Sequence, residues 1–362
     1  MKVSLFYRKY LLPGLVFQSI VIGGGYGTGR EMIEFFMSKG PMTGYLGMLL
    51  TMVIWGLVMA VGFELARMEK LYDYRTMLRS LLGKGWVLFE VVFVSTLILV
   101  IAVVGSASGE ILHQMFGWPK FAGSGVMILA IALLVLKGTK WIESAFSSWS
   151  FFLYAVYIVI FFFALSAFGG RILENLRSGP PEFGAALKGG LQYAAYNLGV
   201  LPAMLFVARH FETRKEAVTA GLLCGPLAII PAVLIYSVML GAYPEVLNEP
   251  LPALFTIGPL GAFLSLIFQA TLLGTFIETG TGLVHGFNER VAGVLNERNK
   301  ALQPAGRLAI GLLILFTALV IGNAFGLISI IAKGYGYITW AFWIIFLIPL
   351  LTIGTIRIIK KT

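Results

Sequence analysis

The stretch Ile22-Gly23-Gly24-Gly25-Tyr26-Gly27-Thr28-Gly29-Arg30-Glu31 places five glycines within seven residues, in the middle of a long apolar run. Each interior glycine costs a helix about 1 kcal/mol relative to alanine, so the spacing predicts a break here. Thr28-Gly29-Arg30-Glu31 matches the S/T-x-x-E capping box, in which Thr28 caps a new helix and Glu31 reaches back to the cap amide. The run is expected as two half-helices, residues 11–22 and 28–37, joined by extended backbone. A second interruption lies in Tyr196-Asn197-Leu198-Gly199-Val200-Leu201-Pro202. Pro202 disfavours helical geometry at Leu201 and suits the first turn of the helix that follows, so two halves are expected again.

The chain around these breaks has 362 residues, 58% of them apolar and only 12% charged. A soluble chain of this length needs more charged surface, and most of this one is expected in lipid. A formal net charge of +10 would suggest nucleic acid in a soluble protein. Here the basic residues lie in short connectors, where they orient the chain, and no nucleic-acid partner is expected. The single cysteine, Cys224, excludes an internal disulfide framework or a cysteine metal cluster. Spans need about 20 residues to cross about 30 Å of hydrocarbon. Ten runs qualify: 11–37, 43–66, 86–112, 121–136, 145–168, 183–208, 217–240, 261–287, 305–322 and 337–356. Residues 325–333 are too short to span and are expected as a connector helix near a membrane surface.

With the N-terminus inside, the inner segments hold 20 Lys and Arg and the outer ones 6, a split that puts both termini in the cytoplasm. The basic start, MKVSLFYRKYLLPG, runs into glycines rather than a cleavage site, and is kept as mature protein. Five runs separate the two breaks, so residues 1–175 and 176–362 are expected as inverted repeats of a single transmembrane domain. Interrupted spans in corresponding positions of inverted halves point to a transport site.

On Ile22 to Glu31, Phe276-Ile277-Glu278-Thr279-Gly280, His285 to Arg290, Lys333-Gly334-Tyr335-Gly336-Tyr337 and the ten-run plan, the chain resembles the LeuT-fold transporters of the amino acid-polyamine-organocation superfamily. Within it, the likeness is to the YkvI-type bacterial membrane proteins. The resemblance implies an all-α integral membrane protein of ten transmembrane helices, a 5+5 inverted repeat with helices 1 and 6 broken, in a prokaryotic inner membrane. It implies substrate held between those breaks and often a cation between spans 1 and 8.

Candidate residues follow. Amides from Gly25 to Arg30 are expected free of helical bonding, and Gly23, Gly24, Gly25, Gly27, Thr28 and Gly29 would let a ligand touch backbone; tight helix packing is the alternative. Tyr196, Asn197 and Gly199 offer a ring, an amide and bare backbone at the second break, unless Asn197 only caps the following half-helix. Arg30, Glu31 and Glu34 are ionisable inside a span and so candidate functional groups, a candidate charge network: Glu31 is also explained by the capping box, and Arg30 pairs with Glu34 or with Glu278. Thr275, Glu278, Thr279 and Gly282 share a face of the eighth run. Sodium-coupled relatives are expected to show adjacent hydroxyls there; Glu278-Thr279 departs from that, so a proton and a sodium ion both remain open, with a structural ion pair as the third reading. Glu64, Glu90 and Glu143 are expected on solvated faces. No metal, no other cofactor and no enzyme motif is found. The expected function is a secondary transporter or symporter of an amino acid or related carboxylate or amine, by alternating access, as a monomer or weak oligomer. A solute sensor of the same fold and a channel are the rivals.

Overall fold

The structure is a computed structural model and describes residues 5–137, 149–296 and 299–361. Among them all regular elements are helical. The expected start of the fifth run, residues 145–148, and Glu143 before it lie outside the described residues.

The first run is interrupted twice. Helix α1 (Leu12–Val21) ends where Ile22 turns to ψ 88° and Gly23 is extended. A single turn, α2 (Gly24–Gly27), comes next, where extended backbone was expected. Gly29 then takes φ +81°, a left-handed conformation that suits glycine, and α3 (Arg30–Phe35) begins. The capping box does not form. Thr28 stays right-handed helical (φ −71°, ψ −16°), and its hydroxyl donates back to the carbonyls of Gly24 at 2.9 Å and Gly25 at 3.1 Å. A helical threonine bonds the preceding turn, whereas a cap must be extended. No side chain caps α3, and Glu31 points elsewhere.

The remaining helices are α4 (Pro41–Glu69), α5 (Tyr74–Leu82), α6 (Trp86–Phe116), α7 (Lys120–Lys137), α8 (Trp149–Leu176) and α9 (Phe183–Leu198). A 3-10 helix, Leu201–His210, continues α9 at a bend of 68°. Then come α10 (Arg214–Met239), α11 (Pro252–Ile257), α12 (Ala262–Asn296), α13 (Pro304–Ser329), α14 (Gly336–Phe342) and α15 (Thr355–Lys361). Among the described residues, 6 helical stretches are long and apolar enough to cross a membrane, or 7 with the bent pair counted as one span. Segment 11–37 falls outside that length test because its breaks leave only short pieces. Residues 304–361 pass it as one stretch of 58, although Gly326 (φ 72°, ψ 163°) kinks it.

Packing sorts the helices into two groups. In one, α1, α4, α9 and α10 lie together, and glycines set their spacing. A Cβ on Gly221 or Gly225 would strike the backbone of α4, and one on Gly190 would meet the Gly47 carbonyl. In the other, α6, α7, α12 and α13 pack on one another. Phe263, Leu313, Phe316 and Ile344 are exposed on the outside, as suits a face bathed by lipid tails.

The segment 325–333, expected as a connector helix near a membrane surface, is partly interior: Leu327, Ile330 and Ile331 are buried while Phe325, Ile328 and Lys333 are exposed. After Gly326 the chain forms a π-helix, Ile330–Tyr335, with Ile330, Ile331 and Tyr335 buried. Its run of isoleucines is apolar enough to seek the core, and it brings the Tyr335 ring to 4.7 Å from that of Tyr196. Glu64 also departs from expectation: it is 3% exposed and pairs with Arg67 at 2.7 Å, since a buried carboxylate needs a partner.

Candidate functional site

Two cavities meet at the first break. The inner one, about 40 Å³, is lined by Gly23, Gly24, Glu31, Tyr196, Asn197 and Tyr335 together with α6 residues. That is room for a few waters. The outer one, about 1170 Å³, runs from Ser19, Glu278 and Thr279 down to Asp73, Glu90 and Arg290. Ile20, Phe93, Leu97, Val200 and Leu283 line both, and so form an apolar collar between them.

The outer cavity lies toward the face where both termini gather. Lys9 pairs with Glu216 at 2.8 Å, Arg67 donates to the Glu212 carbonyl, and Arg357 and Lys361 reach Glu69. Arg357 also donates to Ser80 of α5, the helix that supplies Tyr74, Arg75 and Arg79 to the cavity wall. At this mouth the Arg290 guanidinium stacks 3.8 Å from the rings of both Tyr74 and Phe93 and lies 3.5 Å from Glu90, so Glu90 is paired rather than solvated. Arg290 thereby holds a collar residue.

The opposite face is tied shut. Arg30 donates to the carbonyls of Leu247 at 2.8 Å and Glu249 at 3.1 Å and pairs with Glu34 at 3.5 Å. The Ala253 amide donates to the Thr28 carbonyl at 3.0 Å. Of the two partners weighed for Arg30, it takes Glu34 and not Glu278.

Most of the glycines at the first break face protein. Gly23 and Gly24 line the inner cavity, but a Cβ on Gly25 would collide with the Glu31 carboxylate, one on Gly27 with Leu272 and one on Gly29 with Met239. The amides expected to be free are largely used within the chain. Those of Gly27, Thr28 and Gly29 donate to the carbonyls of Gly23, Gly24 and Tyr26, and that of Arg30 reaches the Thr28 hydroxyl at 3.4 Å. The group that does face the cavity is Glu31, 2% exposed, with Oε2 lacking a hydrogen-bond partner of good geometry. Tyr193 and Tyr196 flank it.

At the second break Tyr196 and Asn197 line the cavity. Asn197 donates to the Tyr193 carbonyl at 2.9 Å and caps nothing; Val200 precedes the 3-10 helix with no side-chain cap. Gly199 lies outside the lining, with the Phe342 ring where its Cβ would be.

On α12, Glu278, Thr279 and Gly282 face the outer cavity. Thr279 donates to the Ile22 carbonyl at 3.3 Å, the oxygen that the first break frees from the helix. Glu278 is half-buried, with no hydrogen-bond or ion-pair partner among the described residues. Thr275 is turned aside: its hydroxyl donates to the Thr271 carbonyl and accepts from Trp149 Nε1 at 2.9 Å. Residues that sequence reasoning did not assign to the site are Tyr335, Phe93 and Thr96. Tyr335 sits in the Lys333–Tyr337 motif, a signal; the two on α6 carry none, being an ordinary apolar and a hydroxyl position of an apolar run.

No family model matches the chain. It is 23% identical over 334 residues to the uncharacterised membrane protein YkvI of Bacillus subtilis (strain 168), across 90% of this chain and 92% of that one. Among solved structures it is similar to MhsT in complex with L-phenylalanine (TM-score 0.63, 15% identity, 97% of each chain). It is also similar to a Na+-coupled sialic acid symporter in a substrate-bound outward-open state (TM-score 0.62, 13% identity, 95% of this chain and 79% of that one). A third is the Eremococcus coleocola manganese transporter bound to an aromatic bis-isothiourea compound (TM-score 0.58, 15% identity, 96% and 78%). The chain is an all-helical membrane protein with the LeuT fold. The sialic acid and manganese neighbours are a symporter and a transporter, not enzymes, and the chain's sequence relative is YkvI.

Proposed function

We propose that the protein is a secondary active transporter that moves a small solute by alternating access. Ten crossings in a 5+5 inverted repeat, residues 1–175 and 176–362, would be interrupted in the first and sixth, with both termini in the cytoplasm of a prokaryotic cell. The observation that carries the reading is the pair of cavities: a small one at the breaks and a large one that extends toward the face where the termini gather, divided by five apolar side chains. A solute site reached from one face at a time is what alternating access requires. Release inward needs the collar to part; release outward needs the Arg30 tether to open. The group α1, α4, α9 and α10 would rock against α6, α7, α12 and α13.

Coupling is assigned to Glu278 and Thr279, with a proton or sodium ion as the driving ion. The oxygens on offer to a metal ion are the Ile22 carbonyl, the Thr279 hydroxyl it already accepts from, and the Glu278 carboxylate, while Thr275 is occupied by Trp149. Sodium wants more oxygens than this, whereas a proton needs only a water-reached carboxylate. The proton is the better fit to these residues.

The test is uptake into proteoliposomes. The purified protein is expected to accumulate a radiolabelled amine or amino acid above equilibration when a proton gradient is imposed. Glu278→Gln is expected to abolish that accumulation while leaving the fold intact. Binding without accumulation would make the protein a sensor, and unsaturable dissipative flux would make it a channel. Coupled uptake surviving in Glu278→Gln removes Glu278 from the mechanism.

A further inference from the structure

The inner cavity carries its own carboxyl group, that of Glu31. In a broken-helix site the freed amides favour a negative ligand group, because backbone N–H groups and the positive helix end converge there. Here those amides from Gly27 to Arg30 are already bonded within the chain, and the helices that follow the breaks in the first run have 4 and 6 residues, too short to supply a sustained dipole. The Glu31 carboxylate fills the space beside Gly25 instead. Among the described residues that line the cavity there is no Lys, Arg or His; Arg30 next door directs its guanidinium to the carbonyls of Leu247 and Glu249. A substrate carboxylate placed here would meet Glu31 at close range with no cation to offset it.

What the cavity lacks is positive charge. Glu31 Oε2 is buried without a hydrogen-bond partner of good geometry, and a group left so is costly until a ligand satisfies it. Beside it the rings of Tyr196 and Tyr335, packed on each other at 4.7 Å, line the cavity with Phe93, and aromatic walls of this kind favour a desolvated cation. The unpartnered Glu31 oxygen calls for a donor, which a quaternary ammonium does not have.

We propose that the inner cavity binds the N–H-bearing ammonium group of a small organic amine without a carboxylate, with Glu31 as its counter-ion and Tyr196 and Tyr335 as its aromatic walls. The inference rests on the reading of this cavity as the solute site. It narrows the cargo to organic cations and excludes zwitterionic amino acids as preferred ligands.

The experiment compares three molecules on one carbon skeleton: butylamine, norvaline and valerate, which carry the amine, both groups, and the carboxylate alone. Calorimetric titration of the full-length protein in lipid nanodiscs is expected to show saturable butylamine binding at least tenfold tighter than norvaline, and no valerate binding. Glu31→Gln, checked for folding by circular dichroism and gel filtration, is expected to weaken butylamine binding at least tenfold. Tyr335→Leu is expected to weaken it several-fold. If Glu31→Gln does not fold, Glu31→Asp keeps the charge but shortens its reach, and is expected to bind butylamine more weakly than wild type. Norvaline or valerate binding at least as tightly as butylamine, butylamine binding unchanged in the folded Glu31 variant, or no binding of any of the three overturns the inference. Butylamine that binds with this selectivity but never accumulates in vesicles leaves the inference standing and removes the transport reading; driven accumulation of norvaline in preference to butylamine does the reverse.

Discussion

The two interruptions are legible in the sequence by the same kind of signal, small residues and a helix-breaker at membrane depth, yet they are built differently. The first departs from helical geometry outright: Ile22 swings to ψ 88°, Gly23 is extended and Gly29 is left-handed. It frees the Ile22 carbonyl for Thr279 and opens the space that Glu31 fills. The second never leaves the right-handed region. Gly199 (φ −56°, ψ −18°) and Val200 (φ −84°, ψ −12°) only tighten the winding from α to 3-10, and the axis bends by 68°. The first break therefore offers backbone and side-chain groups to partners, and the second is a corner that shapes the wall opposite.

The largest effect is expected where backbone conformation and packing both demand glycine. Gly29→Ala places a Cβ on a residue at φ +81° and against the Met239 thioether. The left-handed conformation costs roughly 1–2 kcal/mol and the overpacking about 1–3 kcal/mol. In a thermal melt of the reconstituted protein the midpoint is expected to fall by about 5 °C or more. Adding Met239→Ala is expected to recover only the packing part. A Gly29→Ala protein that melts like wild type would show that the left-handed step is dispensable, and the contrast between the breaks would shrink to one of degree.

Gly199→Ala probes the other side of the comparison and should cost less. Its φ is open to any residue, so the penalty is steric only, from the Phe342 Cζ at 2.5 Å from the added Cβ. About 1–3 kcal/mol of destabilisation is expected, and Phe342→Leu in the same chain should return most of it. Failure of that rescue would mean that Gly199 is needed for its backbone after all, as Gly29 is.

How far the sequence speaks for itself is shown by two matches to one motif. Thr28-Gly29-Arg30-Glu31 and Thr213-Arg214-Lys215-Glu216 both fit the capping box. Only the second forms one. Thr213 is extended (φ −117°, ψ 155°), its hydroxyl accepts from the Glu216 amide at 3.3 Å, and Glu216 returns the bond while also holding Lys9. Thr28 instead follows a glycine turn that remains helical, so its hydroxyl turns backward and Glu31 is released to the cavity. Spacing carries the motif, but the conformation of the residue before it decides the outcome. The long apolar runs and the position of both breaks were readable because they depend on local composition, and the shared face of Glu278 and Thr279 because it depends on helical periodicity; that this face meets the first span was only what the resemblance implied. The collar, the place of Tyr335 and the burial of Glu64 depend on which helices meet, which no local pattern encodes.

The smallest effect is expected at the seam between the first break and α12. Thr279→Val keeps the shape and removes the hydroxyl that donates to the Ile22 carbonyl at 3.3 Å. A single hydrogen bond of this kind is worth about 0.5–1.5 kcal/mol net, and valine leaves the carbonyl unsatisfied next to Gly23, whose added Cβ would lie only 3.5 Å from the Thr279 methyl. The melting midpoint should therefore drop by no more than a few degrees, while Thr279→Ser, which keeps the donor, should match wild type. Uptake separates structure from coupling. If Thr279 only fastens two helices, Thr279→Val loses stability and keeps proton-driven accumulation. If the Ile22 carbonyl and this hydroxyl take part in coupling beside Glu278, accumulation falls further than stability does, and serine restores both. Because the second break frees no carbonyl for a partner helix in this way, no single hydroxyl there should produce such a split, and that is the sharpest form of the difference between the two.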